Sequence, residues 1–303
     1  MRRTVAAAVM AGCTALPHGK VVVSDVTANS LAIDANALYW AADDGTIVKL
    51  PLDGSGQPVT LATSPGARAL HLAVDASYAY FDEIREGMPT LWRVPLAGGD
   101  PVQLASLGGP LAIAGPTLFV VQTDLYSLPI GGGTPTLVVA GHPGANDPME
   151  SVAADATNVY ATDHMGGLFI VPLAGGPARS AAPCGNHSIA SPGAYFVYCV
   201  QNNNAELSDD SAPGFIQQTW WEGAQATTRI SNEVAPDEIV VDGDQLYWTN
   251  RSQVVRGDAQ GGHKHVVADN QGPPLALAVG ALDVFWSTGP VGSEGPTIRT
   301  APK

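Results

Sequence analysis

Charge is scarce in this chain of 303 residues: 14% are Asp, Glu, Lys or Arg. Acids outnumber bases 28 to 14, for a net charge of −14 with histidine neutral. The shortage of Lys and Arg excludes a nucleic-acid binder, because a basic surface is what holds phosphate. Aromatic residues make up 7% and there are only three cysteines. No run beyond the N-terminus reaches the roughly 18–20 apolar residues of a membrane-spanning helix. The chain does hold 34 Gly, 24 Pro and 45% hydrophobic residues. A disordered acidic chain lacks such hydrophobic content, and a helical bundle does not tolerate Gly and Pro at this density. An all-β, turn-rich globular protein with a large core remains.

Self-similarity organises that chain. Leu31 to Trp40 reads LAIDANALYW. The pattern returns without gaps from Leu72 (LAVDASYAYF), Leu111 (LAIAGPTLFV), Val152 (VAADATNVYA), Ile239 (IVVDGDQLYW) and Leu277 (LAVGALDVFW). A degraded copy, SIASPGAYFV, starts at Ser188. The Asp34 column recurs at Asp75, Ala114, Asp155, Ser191, Asp242 and Gly280. A period of about 40 residues is that of a propeller blade. Each unit has a second half, as in LWRVPLAGG from Leu91 and LFIVPLAGG from Leu168, followed by a β-branched or apolar stretch. A unit therefore holds four short strands, a to d, with a glycine-rich hairpin turn between c and d. Such a sheet cannot bury both faces alone. Seven of them stacked radially make a seven-bladed β-propeller with four antiparallel strands per blade. The last unit ends on its strand c, and residues 20–25 form a spare strand ahead of the first unit. Pairing the two closes the ring and removes two exposed edges, so residues 20–303 read as one domain.

The N-terminus reads as a signal peptide over residues 1–12, with positive Met1-Arg2-Arg3 followed by a small apolar run up to Cys13. In an exported protein the remaining even pair, Cys184 and Cys199, is expected to form a disulfide. Closing a loop of that length contributes about 3 kcal/mol by chain entropy.

Met10-Ala11-Gly12-Cys13 resembles a bacterial lipobox. The resemblance implies lipidation at Cys13 and a place at the bacterial cell envelope (outer-membrane lipoprotein or periplasm) or outside the cell, with membrane contact only through the anchor. Tyr247-Trp248-Thr249-Asn250 resembles the YWTD signature of low-density-lipoprotein-receptor class B repeats, and Tyr160-Ala161-Thr162-Asp163 matches it at three of four positions. The PLxGG turn is similar to the LDG turn of those repeats and to turns of TolB-like and NHL-like bacterial propellers. The resemblance covers residues 20–303 and implies fold rather than activity: the aromatic packs between blades and the polar residue satisfies backbone. The receptor repeats make six blades, whereas this chain has seven units. A streptogramin-linearising lyase is also a seven-bladed bacterial propeller, but its catalytic pattern has no residue-by-residue match here, so no role is carried over. The Gly-His and Trp-Asp signature of WD repeats is absent.

In a propeller the d–a and b–c connections lie on one face, the top, and the a–b and c–d turns on the other. Many acids fall in the top loops: Asp43-Asp44, residues 82–86, Asp163, and Glu206, Asp209 and Asp210 in the long fifth unit. The bottom turns read as nearly featureless Gly, Ala and Pro. Functional loops gathered on one side of a rigid scaffold are the usual arrangement. At the start of the innermost strands, where the ring converges on its axis, the repeat alignment places His71, Glu150, His187, Asp237 and Glu238. Imidazole and carboxylate together suit a divalent cation such as calcium or magnesium, or an acid–base pair, and propeller lactonases and lyases of similar architecture hold a metal there. A solvated polar rim is the competing reading.

Other signals are weaker. His263-Lys264-His265 puts two imidazoles on one face if it is strand d. Trp220-Trp221 sends one ring inward and leaves one to stack on a sugar or peptide. No G-x-S-x-G elbow, H-E-x-x-H helix, P-loop or complete EF-hand is present. These readings favour a non-catalytic binding or scaffold protein, whose top face meets a protein, peptide or glycan. The alternative is a divalent-cation-dependent hydrolase or lyase, lactonase-like or streptogramin-lyase-like, working at the channel mouth.

Overall fold

The computed structural model describes residues 19–141, 148–185, 188–193, 196–201, 213–220, 225–290 and 294–303. Strand β1 (Lys20–Ser24) precedes the repeats. Blade 1 holds β2 (Ala28–Ile33), β3 (Ala37–Ala42), β4 (Thr46–Pro51) and β5 (Val59–Thr63). Blade 2 holds β6 (Arg68–Val74), β7 (Tyr78–Arg85), β8 (Met88–Pro95) and β9 (Val102–Ala105). Blade 3 holds β10 (Leu111–Ala114), β11 (Thr117–Val121), β12 (Leu125–Pro129) and β13 (Thr136–Val139). Blade 4 holds β14 (Met149–Ala154), β15 (Asn158–Asp163), β16 (Leu168–Pro172) and β17 (Arg179–Ser180). Blade 5 holds β18 (Ile189–Ala190), β19 (Phe196–Gln201), β20 (Pro213–Trp220) and β21 (Ala226–Val234). Blade 6 holds β22 (Ile239–Asp242), β23 (Gln245–Thr249), β24 (Val254–Asp258) and β25 (His265–Ala268). Blade 7 holds β26 (Pro274–Val279), β27 (Asp283–Thr288) and β28 (Thr297–Pro302).

Each blade is a four-stranded antiparallel sheet in chain order, except that blade 7 takes β1 as its outer strand. Lys20 faces Thr300 and Ser24 faces Thr297 across that closure. The innermost strands touch their neighbours around the ring, and β26 returns to β2.

The low charged fraction follows from how the sheets pack. Side chains alternate across a strand, and both faces of every blade meet another blade. In β3 all six residues are buried. Tyr39 and Ala41 face Phe81 and Val94 of blade 2, while Leu38 and Trp40 face Phe285 and Ile298 of blade 7. A core of this kind fills each of the seven blade junctions, so the repeats carry apolar residues on both alternating sets and leave charge to the turns.

Cys184 and Cys199 are disulfide-bonded, with Cα atoms 5.5 Å apart and both residues buried. The bond ties the connection leading into blade 5 to its second strand, where the first strand is only two residues long. Such a bond persists in an oxidising compartment. The expected imidazole pair on strand d is not formed. Only His265 lies on β25; His263 sits in the preceding turn with φ +49° and its Nδ1 is 2.7 Å from Asp258, because the c–d turn runs through Lys264 before β25 begins. Trp220 ends β20 and packs against Phe196 with ring centroids 4.8 Å apart; Trp221 lies outside the described residues.

Candidate functional site

Four of the seven innermost strands share a local irregularity near their starts. The pairing register slips between Ala28 and Ser30, Ala69 and Leu72, Met149 and Ser151, and Pro274 and Ala276. Each slip is a β-bulge, a device that re-aims a side chain. The residues it frees include Asn29, His71, Glu150 and Leu275. In blade 3 the same column holds Gly109 at φ +145°, where a Cβ would stand 1.9 Å from the carbonyl oxygen of Val121.

These starts surround a cavity of about 330 Å³ to which every blade contributes, placing it on the axis of the ring at the top face. His71, Glu150, Asp237 and Glu238 line it. Ser30, Ser151 and Ser188 add polar wall, and no Lys or Arg is present in the lining. His187 lies outside the described residues, as do Glu206, Asp209, Asp210 and Cys13.

The titratable groups pair outward rather than with each other. His71 Nδ1 is 3.0 Å from Asp82 Oδ1, and the same oxygen accepts the His71 amide at 2.8 Å. Asp82 is 1% exposed, so this contact fixes the His71 ring from beneath the cavity wall. Glu150 Oε1 is 2.9 Å from His164 Nδ1. Among the described residues, no three His, Cys, Asp or Glu side chains are placed to hold a metal ion.

Glu238 differs. Its amide donates to Thr249 Oγ1 at 3.1 Å, and its carboxylate accepts from the Leu277 amide. Its Oε2 is closed off from solvent and has no hydrogen-bond partner, although the residue as a whole is part-exposed. Burial pushes its pKa up to about 8, the neighbouring Asp237 charge adds to that, and the Leu277 amide opposes it.

The bottom face is not featureless. The Asp34 column ties down the a–b turns there. Asp34 Oδ1 accepts the amides of Asn36 and Ala37 at 2.7 and 2.8 Å, and its Oδ2 accepts the Tyr39 hydroxyl at 2.8 Å. Asp75 does the same for Ser77, Tyr78 and the Tyr80 hydroxyl. Asp155 does so for Thr157, Asn158 and the Tyr160 hydroxyl. Burial works to raise the pKa of Asp34 and Asp155, but the amide and hydroxyl donors outweigh it and hold both below the ordinary carboxylate value. Burial and the Asp155 contact push Tyr160 up to about 12. The signal is present as Asp-x₄-Tyr in four units, DANALY, DASYAY, DATNVY and DGDQLY; the first three make the contact, whereas Asp242 of the fourth pairs with Lys303.

Several top-loop acids are structural too. Asp43 pairs with Arg68 at 2.5 Å, Asp44 caps Thr46, and buried Asp163 accepts the Gly167 amide at 2.5 Å. Asn250, at the last position of the YWTD-like stretch, accepts the amides of Ser252 and Gln253. A larger groove of about 510 Å³ lies between blades 1 and 7, with Val22, Leu50, Leu52, Leu282 and Phe285 in its walls; it gathers no comparable set of titratable groups.

No protein-family model and no curated protein matches the chain. Solved structures do. The WD40 β-propeller domain of Doa1 aligns with TM-score 0.71 at 11% identity, covering 94% of this chain and 96% of that one. U3-55K aligns with TM-score 0.69 at 11% identity, covering 93% and 97%. A chain of a nidogen/laminin complex aligns with TM-score 0.52 at 17% identity, covering 84% and 85%. Likeness at such identities is likeness of fold: the chain is a seven-bladed β-propeller.

Proposed function

We propose that the chain is a non-catalytic binding or scaffold protein of the bacterial envelope, a YWTD-like propeller exported by residues 1–12 and anchored through lipidated Cys13. Its top face meets the partner, a protein, peptide or glycan. The observation that carries this reading is the contrast in hydrogen bonding across the ring. The turn aspartates of the bottom face are satisfied by their own turns, whereas the axial cavity of the top face contains a carboxylate oxygen without a donor. Unsatisfied, concave, polar surface is where a ligand gains most from binding. The disulfide supports an oxidising location, and no helix among the described residues is long and apolar enough to cross a membrane. A divalent-cation hydrolase or lyase draws less support, since His71 and Glu150 at the mouth are engaged by Asp82 and His164.

Two measurements test the reading. Photo-crosslinking in the source bacterium from position 44, on a top loop, is expected to give a shifted band, and crosslinking from position 55, on a bottom turn, is not. Equal yields from both faces, or none from position 44, would overturn it. Labelling with a palmitate analogue is expected on the wild type and not on Cys13→Ala; label retained in the variant would remove the anchor.

A further inference from the structure

The axial cavity has a definite chemical preference. It is built from carboxylates, hydroxyls and an imidazole, with no Lys or Arg in its wall. Asp237 and Glu238 stand side by side in sequence, and Glu150 adds a third carboxylate from blade 4. Every one of these groups accepts hydrogen bonds when ionised. The acceptors are spread around the ring instead of converging on one point, and no three of them are set for a metal. A metal ion needs a tight shell of ligands; an extended N–H donor reaching along the axis can satisfy acceptors on different blades in turn. Glu238 supplies the second observation. Its Oε2 is buried and lacks any donor, a costly state for a carboxylate. Glu238 itself lines the cavity, and the final torsion of a glutamate is soft.

We infer that the axial cavity of the top face is a socket for a basic side chain, lysine or arginine, presented by a protein partner. This deepens the proposed top-face binding and rests on it. The rim favours a macromolecular source for the cation. Asp43 and Asp44 stand on a top loop, and the chain carries a net charge of −14. A basic protein segment is therefore steered to the face before its side chain enters. A cavity of about 330 Å³ accommodates one long side chain together with displaced water.

Ligand-observed NMR on the full chain at low salt and pH 9, where Glu238 is ionised, reads millimolar binding and tests the socket with three peptides: acetyl-Gly-Lys-Gly-amide, the arginine analogue and the glutamine analogue. The lysine or arginine peptide is expected to bind at least about tenfold more tightly than the glutamine peptide. Glu238→Gln and Glu150→Gln are each expected to remove most of that preference. Asp53→Asn, which deletes the same charge on the opposite face, is expected to leave it intact. Melting curves confirm that the variants are folded. Equal binding of all three peptides, no binding of either basic peptide, or a folded Glu238→Gln that keeps full preference would overturn the socket. Crosslinking from position 44 separates the two ideas. If the crosslink forms but basic peptides do not bind, the socket falls and top-face binding stands; if no crosslink forms, top-face binding itself falls.

Discussion

The two faces of the ring use the same chemical group in opposite ways. On the bottom, Asp34, Asp75 and Asp155 each accept two turn amides and a tyrosine hydroxyl. Those carboxylates are part of the scaffold. On the top, four of the seven innermost strands begin with a register slip, and the acids there line a shared cavity or reach outward to histidines. Glu238 has an oxygen with no partner at all. An acidic composition therefore says little about function until each carboxylate is matched to its donors. A satisfied aspartate at a turn stabilises; an unsatisfied glutamate beside a cavity leaves interaction energy for a ligand.

The strongest perturbations of this contrast strike the geometry of the top rim. Gly109→Ala forces an L-residue into φ +145° and a Cβ onto the Val121 carbonyl; backbone strain alone contributes about 1–3 kcal/mol, and the clash adds to it. Loss of cooperative urea unfolding, or a large fall in midpoint, is the expected result, and a variant within experimental error of wild type would show that the bulge column is not a constraint. Cys184→Ala with Cys199→Ala is expected to cost about 3 kcal/mol for the loop of 15 residues, read by the same melts. Reducing the wild type with dithiothreitol should give the same shift.

The bottom face is tested next by a double-mutant cycle. Asp155→Ala removes the charged partner of the buried Tyr160 hydroxyl and leaves it the Asn158 contact at 3.3 Å and Ser191. The expected loss is about 2 kcal/mol, from a charged acceptor shared by turn amides and a hydroxyl. Tyr160→Phe in the same chain removes the hydroxyl and should recover part of it, because deleting both partners costs less than deleting one. Strict additivity would mean the pair does not interact.

Which of these features could be seen in the sequence follows from the range of the forces behind them. Blade number, strand content and ring closure were legible, since each blade repeats the same local pattern and the closing pair, β1 with β28, matches in sequence. The disulfide was legible from parity. The Asp-x₄-Tyr contact was legible in principle, as it spans one hairpin, yet the column served only as a marker. The bulges were not legible, because a register slip depends on two strands at once. Nor was the outward pairing of His71 with Asp82 and of Glu150 with His164, which join residues 11 and 14 positions apart. The repeat alignment could bring His71, Glu150, Asp237 and Glu238 to one mouth, but not say which way each would turn.

The smallest expected effect distinguishes the faces most directly, because it depends on pH with opposite sign. Asp34 and Asp155 are held below the ordinary carboxylate value of 3.8. A depressed folded-state pKa contributes stability above the unfolded value and loses it as pH falls through and below that value. Acid unfolding should therefore begin from the bottom turns. Glu238 is raised from 4.5 to about 8. Between those values the folded chain holds a proton that the unfolded chain releases, so stability declines as pH rises through that window. Replacing Glu238 with Gln removes this decline. At pH 5 the native side chain is already neutral in the fold and Gln is nearly isosteric, so the variant should melt with the wild type. At pH 9 the wild type carries a charge whose Oε2 lacks a donor, and Glu238→Gln should be the more stable protein by about 1 kcal/mol. Urea midpoints at the two pH values check this. A gain at pH 5 equal to that at pH 9 would mean that Glu238 is ionised throughout, and the unsatisfied oxygen would then not set the top face apart from the bottom.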